Sequence, residues 1–587
     1  MTAVPTYFGR QDRPRFGWLH LPEGEWSGVR VVICPPLGYE GLFAHPTLRY
    51  LAMELERAGA AVIRIDYDGT GDSAGSDHDH GRVEAWLDSI VGAAREVERA
   101  APSRGPVVFV GLRAGALLAA HAALRLWGID GLVLWAPVTR GKHFVREQRA
   151  FAKMAVATAA EPQSGDDDDP GFEANGYYFS DATVADLGAL DLRTLSTPPA
   201  RRTLVLWRDD VSAGREELTA WTDRPEVEAA ESAGYSKMMD PPISMEIPAD
   251  AVARICEFVR KLGCSPEAPL PVGGPYVRTS SRVQSDVIEE AVWYANDGKR
   301  FGILTSPIGS RPTSGLILLN NAKGYRVGPH GMNPPLARRL AQRGVATLRL
   351  DVGGVGDSEL PDGREPHHVY GLDAVADVRA AVDHLKRIAI PRIFVGGLCS
   401  GAYLAWHAAM LGLAGLVLLN LQTFYWTEAL SLDVSPLEIE YESEHYRHSM
   451  RSKESWAKLL RGGVDVRYVA GVMSKFVANR AQTHLQRVRT WLPALGTGSP
   501  IGDHIRNLAA SGTSVHFIFT NRDPGLTMLR AELGGSWRSL IAKGQMRVDI
   551  VPGSDHSFTP GWASKRLGDL IEGALAGNRR RAEAQSG

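Results

Sequence analysis

Cysteine is scarce in this chain: Cys34, Cys256, Cys264 and Cys399 are the four in 587 residues, too few and too irregularly spaced for a disulfide framework or a zinc cluster. A reducing, cytoplasmic setting fits such usage, and neither a metal nor an organic cofactor is expected. Long apolar runs are missing as well. No stretch reaches the roughly 18 uncharged apolar residues that a membrane span requires, and the first residues, MTAVPTYFGRQDRPRFGWLHLP, carry charge without an apolar centre, so no signal peptide is indicated. Charge of one sign is not in excess: 65 Lys and Arg stand against 67 Asp and Glu, which gives no global reason to expect nucleic acid or a membrane as partner. A last absence is local. No histidine occurs between His143 and His330.

What is present is length and repetition. A chain of 587 residues exceeds what one hydrophobic core usually organises, so two domains are expected. The sequence supplies them as an internal repeat. Arg15-Phe16-Gly17-Trp18-Leu19 is echoed by Arg300-Phe301-Gly302-Ile303-Leu304, and Arg64-x-Asp66-x-x-Gly69-x-Gly71-Asp72-Ser73 by Arg349-x-Asp351-x-x-Gly354-x-Gly356-Asp357-Ser358, both at an offset of 285. Gly131-Leu132-Val133-Leu134 and Gly415-Leu416-Val417-Leu418 follow at 284. In each half, short apolar runs (VVICPP, AAVIRID, VVFVG; GLILLN, ATLRLD, IFVGG) alternate with amphipathic helical periods. This alternation predicts an α/β fold, doubly wound around a mostly parallel sheet, twice over. The expected division is 1–265, a Pro/Gly/Ser-rich linker at 266–284, 285–578, and a disordered tail at 579–587, with the two halves packed together. Helical cap insertions are expected at about 140–198 and about 424–510.

The chemistry concentrates at one turn. Ile393-Phe394-Val395-Gly396-Gly397-Leu398-Cys399-Ser400-Gly401-Ala402 reads as a strand entering a helix through a sharp small-x-nucleophile-x-small turn, with Cys399 at its tip. The first half has Arg113 there, in Gly111-Leu112-Arg113-Ala114-Gly115, and a guanidinium stays protonated and cannot attack. After the strand VHFIFT comes Asp523, and 33 positions later His556 stands before the last helix. Nucleophile, acid and base thus follow in order. The same count from Asp209 in the first half lands on Pro242, so that half is expected to be a pseudo-enzyme. In the second half His556 would activate the Cys399 thiol, and Asp523 would fix the imidazole tautomer. The oxyanion would meet the backbone N–H of Ser400 and that of Asn321 or Ala322. Asp555 is an alternative acid, and His330 a secondary pocket residue.

These residues resemble the serine-aminopeptidase-like branch of the α/β hydrolases, and within it the exosortase-A-associated hydrolases. The likeness rests on Tyr325-Arg326-Val327-Gly328-Pro329-His330, the Arg349–Ser358 motif, Gly397-Leu398-Cys399 and Asp523-Pro524-Gly525-Leu526. It implies two tandem α/β-hydrolase domains, with Tyr325, Arg326 and His330 near substrate. A cysteine at the turn is also similar to dienelactone hydrolases, polyhydroxyalkanoate synthases and some polyketide thioesterases. The expected activity is acyl transfer through an acyl-Cys399 intermediate, from a thioester or ester to water, an alcohol or an amine. The alternatives are hydrolysis of a small ester or lactone without a carrier, and a non-catalytic scaffold. Between Arg447 and Arg489, ten Lys and Arg stand against Glu454 and Asp465. A segment so cationic would attract an acyl carrier protein or a coenzyme A thioester.

Overall fold

The computed structural model describes residues 3–23, 26–126, 128–158, 171–211, 214–240, 244–263, 277–364, 369–426 and 499–586. Among these, two large sheets stand out. The first contains β1 (Ala3–Phe8), β2 (Arg15–His20), β3 (Arg30–Cys34), β4 (Ala61–Ile65), β5 (Val107–Leu112) and β6 (Ile129–Trp135). After a separate hairpin of β7 (Gly171–Ala174) and β8 (Tyr177–Ser180) it continues with β9 (Ala200–Arg208) and β10 (Val227–Ser232). Its spatial order is β1-β2-β4-β3-β5-β6-β9-β10. The second sheet contains β11 (Ser280–Gln284), β12 (Val287–Trp293), β13 (Phe301–Pro307), β14 (Ser314–Leu319), β15 (Val345–Leu350), β16 (Ile393–Leu398), β17 (Gly415–Leu419), β18 (Ser514–Thr520) and β19 (Arg547–Val551). Its order is β11-β12-β13-β15-β14-β16-β17-β18-β19. Without the extra edge strand β11, the two orders correspond one for one. In both, two antiparallel pairings lead into a parallel run. Helices cover both faces, which is why the central strands, such as Val31–Ile33 and Leu316–Leu318, are buried along their whole length. This is the α/β-hydrolase fold.

The repeated Arg-x-Asp-x-x-Gly-x-Gly-Asp-Ser segment makes the same bonds in each half. The Ser73 hydroxyl accepts the Phe16 N–H at 2.8 Å and donates to Asp66 O at 2.7 Å; Ser358 does the same with Phe301 at 2.8 Å and Asp351 at 2.7 Å. The segment also crosses between the halves. Arg64 reaches Asp357 at 2.7 Å, and Arg349 reaches Asp72, so each arginine pairs with the other copy's aspartate. Around this reciprocal pair Arg326 bonds Asp72, Asp351 and Asp357 at 2.7–2.8 Å, and Arg338 donates to the carbonyls of Asp72 and Ser73. An apolar cluster joins Tyr7, Phe16 and Trp18 to Val283, Val287, Phe301 and Ile303, with the Trp18 and Phe301 rings 4.6 Å apart.

Three expectations are corrected. The insertion at 140–198 is not purely helical: Asn175 and Gly176, at φ 50° and 81°, close the β7–β8 hairpin, as an Asn-Gly pair does in a two-residue turn. The last part of the linker, Ser280–Gln284, is β11, antiparallel to β12, because Val283 has the shared apolar cluster to enter. The final helix runs Gly561–Ser586, so the tail from 579 is helical to 586, in keeping with its Arg, Ala, Glu and Gln content. The linker's 264–276, most of the second insertion (427–498), with the cationic stretch Arg447–Arg489, and Pro242 lie outside the described residues.

Candidate active site

β16 ends at Leu398, and the helix Ser400–His407 begins two residues later. Between them Cys399 adopts φ 54° and ψ −112°, a conformation that non-glycine residues rarely occupy and that usually marks a functional constraint. Its N–H is held by Leu419 O at 2.9 Å. The turn closes because Gly401 packs against the oxyanion loop: a Cβ there would lie 2.6 Å from Asn320 O. Arg113 has nearly the same backbone, φ 54° and ψ −121°. The bend therefore exists in both halves, and only the side chain at its tip differs.

His556 faces this tip. Its Nδ1 lies 2.5 Å from Asp523 Oδ2, and Asn420 Nδ2 donates to its carbonyl at 2.7 Å. Asp523 is buried and also caps the helix Pro524–Leu533 by accepting the Gly525 N–H at 2.8 Å, so its carboxylate is held by two donors. Burial opposes a charge on His556, but the hydrogen bonds to Asp523 and Cys399 and their charges raise its pKa to about 10. Burial likewise opposes a thiolate at Cys399. The hydrogen bond and charge of His556, then the Tyr370 hydroxyl, more than offset it and hold the thiol below its ordinary value. Both shifts run in the direction that favours a thiolate beside an imidazolium. The other described cysteines behave oppositely: burial pushes Cys256 up to about 11, and Cys34 further.

Two neighbours were not foreseen. The Tyr370 hydroxyl lies 3.7 Å from Cys399 Sγ, and its ring stacks on Trp426 at 4.4 Å and meets Tyr403 edge-on at 5.1 Å. Burial and the charge of Cys399 push its pKa up, so the phenol stays protonated and donates to sulfur. The Gln422 amide is within 3.9 Å of Sγ and 3.4 Å of His556 Nδ1. Gln422 follows the carboxyl end of β17, where parallel sheets place their ligands, a signal open to sequence reading. Nothing in the spacing around Tyr370 points to it.

In the oxyanion loop the Ala322 N–H donates to the Ser400 hydroxyl at 2.7 Å. Asn320 ties the loop down, donating to Gly324 O and Asp351 while accepting from Val352 N–H. The Ser400 N–H lies at the first turn of its helix, where backbone donors lack an intrahelical partner.

Residues 45–169, in the half that carries Arg113, match a family described as serine aminopeptidase, S33. Several solved structures are similar to about half of the chain. An α/β serine hydrolase without a lid from Xanthomonas campestris is 16% identical, covering 46% of this chain and 98% of its own, at a TM-score of 0.29. For a dienelactone hydrolase from Anabaena variabilis the values are 15%, 48%, 94% and 0.29, and for a proline iminopeptidase from Mycobacterium smegmatis 12%, 44%, 98% and 0.31. No curated protein matches.

The remaining candidates are placed as follows. Arg326 commits Nε, Nη1 and Nη2 to three carboxylates and is buried in the seam between the halves. Tyr325 is buried beside it, its ring stacked on His45 at 4.0 Å. Both side chains are thus engaged in the seam, where their contacts are structural. His330 lies beside the segment that carries His556, its Nε2 3.2 Å from Ser557 O. Asp555 turns away and accepts the Thr559 N–H at 2.7 Å. In the first half Arg113 bonds Glu40 at 2.8 Å and Glu147 at 2.6 Å, and Asp209 accepts from Gly234 N–H at 2.6 Å.

Proposed function

We propose that the second half is a cysteine-dependent acyl-transfer enzyme and the first half a copy of the same fold that has lost its catalytic residues. The observation that carries this reading is Cys399, at a left-handed turn, within interaction range of an imidazole whose Nδ1 lies 2.5 Å from a buried carboxylate.

The chemistry proceeds in two steps. Cys399 thiolate attacks the carbonyl carbon of a thioester or ester; a C–S bond forms and the carbonyl oxygen takes the negative charge, met by the N–H groups of Ser400 and Asn321. Collapse breaks the bond to the leaving group, which takes the His556 proton. Water, an alcohol or an amine then gives a proton to His556 and attacks the acyl-cysteine, and the C–S bond breaks to restore the thiolate. A thioester intermediate is open to all three acceptors. In the first half Arg113 fills the corresponding position with an ion pair, and without a nucleophile or a histidine after His143 it supports no such cycle.

Incubation of the full chain with a panel of acyl thioesters and aryl esters, read by intact mass and peptide mapping, tests the reading. A mass gain of one acyl group on Cys399, lost in Cys399→Ala and longer-lived in His556→Ala, is expected. No adduct on Cys399 in either the wild type or His556→Ala, across the panel, would overturn it. Selective alkylation of Cys399 with a low apparent pKa would also count against a purely non-catalytic scaffold. The carrier-bound acyl donor remains part of the proposal through the cationic stretch Arg447–Arg489.

A further inference from the structure

The catalytic histidine is carried on the segment between β19 and the last helix, Pro552–Pro560. Its inner side is held by its own half, through Asn420, which bonds the His556 carbonyl and the Thr520 N–H. Its outer side is held by the other half. The β7–β8 hairpin comes from the first half, and its Glu173 accepts the Gly561 N–H at 2.9 Å. The hairpin turn lies against His330 so closely that a Cβ on Gly176 would stand 2.6 Å from His330 Cβ. His330, itself at φ 41° between Gly328 and Gly331 at φ 74° and 76°, places Nε2 at 3.2 Å from the carbonyl of Ser557, the residue after His556. Burial lowers the His330 pKa, so near neutral pH the ring is uncharged and its Nε2–H donates. A continuous packed path thus runs from the hairpin turn through His330 to the backbone of the catalytic loop.

We propose that the hairpin of the first half is a positioning element for His556, acting through His330 and Glu173, so that the half without catalytic residues sets the geometry of the half that has them. This rests on the acyl-transfer reading above. It gives the first half a role at the site without any chemistry of its own. His330 and Glu173 are positioning residues: His330 bonds the loop backbone and Glu173 the first N–H of the helix that follows it. Their loss would let His556 drift from Cys399, and a thiol that loses its imidazolium partner ionises at higher pH.

The test is the pH profile of Cys399 alkylation by iodoacetamide in the full chain, followed by peptide mapping, for wild type, Gly176→Val, His330→Ala, His330→Gln, Glu173→Ala and His556→Ala. Gly176→Val and His330→Ala are expected to raise the midpoint by about one pH unit, about a tenfold loss of thiolate on the acid side of the curve. Glu173→Ala shifts it the same way by less, and His330→Gln, which keeps an N–H donor, restores it. Unchanged midpoints in Gly176→Val and His330→Ala, with His556→Ala shifted, would overturn the positioning role alone. An unchanged midpoint in His556→Ala would overturn the catalytic reading beneath it. Should the two seam variants fail to fold, Glu173→Ala decides, because Glu173 is exposed and its removal leaves the packing intact; an unshifted midpoint there counts against the proposal.

Discussion

Tyr370 and Asp66 show how single groups set the protonation of this molecule. The Tyr370 phenol donates to the Cys399 sulfur and so favours the thiolate. Tyr370→Phe should raise the pH at which Cys399 reacts, by about half a unit to one unit for the loss of one hydrogen bond to a charged group, with stopped-flow reaction against a disulfide reagent as the check. The alkaline side belongs to His556. With its pKa raised to about 10, the proton that the leaving group needs is present up to that pH and lost above it. The alkaline limb of a pH–rate profile should therefore fall near pH 10. Burial pushes up both Asp66 and its repeat partner Asp351, the latter ion-paired with Arg326. Burial, then the charge of Asp72, raise the Asp66 pKa to about 7. A carboxyl raised in the folded state contributes stability below its unfolded pKa of about 4 and loses it as pH climbs to about 7. Asp66→Asn should therefore match wild type below about pH 4 and melt higher than wild type at pH 8, as thermal unfolding across that range would show.

At the scale of elements, the decisive unit is the bend between β16 and the helix Ser400–His407. The glycine spacing made it legible from sequence, and Asp523 and His556 were legible from their order after β18. Both depend on local backbone rules that recur wherever a parallel strand feeds a helix. Tyr370 was not legible, because its approach to sulfur depends on stacking against Trp426 and Tyr403, residues distant in sequence. The β7–β8 hairpin was missed for a related reason: a helical period surrounds it, and only Asn175-Gly176 marks the turn. A substitution follows from the tight contact at the bend. Gly401→Ala puts a methyl group 2.6 Å from Asn320 O, a backbone atom that the oxyanion loop cannot move freely. It should cost about 1–3 kcal/mol in denaturant unfolding and depress the rate more than it depresses substrate binding, since Asn321 is displaced with its neighbour.

For the whole molecule, the repeat that first defined two halves proves to be what joins them. Sequence comparison reads the Arg-x-Asp-x-x-Gly-x-Gly-Asp-Ser segment as a shared fold motif. It cannot show that Arg64 bonds Asp357 while Arg349 bonds Asp72, because pairing across copies is a property of their docking. The same docking buries Tyr325 and Arg326 in the seam. Arg349→Ala would leave Asp72 buried with one cation fewer, and the loss of one partner from a buried pair costs about 3–5 kcal/mol; thermal unfolding should show a large fall in melting temperature. Asp72→Ala should do the same from the other half, although it lies in the domain without a nucleophile. The most direct test of the central claim is the ultraviolet thiolate titration of the full chain, taken as the difference between wild type and Cys399→Ser. The account predicts thiolate absorbance that develops below the ordinary thiol range and is displaced to higher pH by His556→Ala. Absorbance that rises only at or above the ordinary thiol range in wild type, unmoved by His556→Ala, would contradict it.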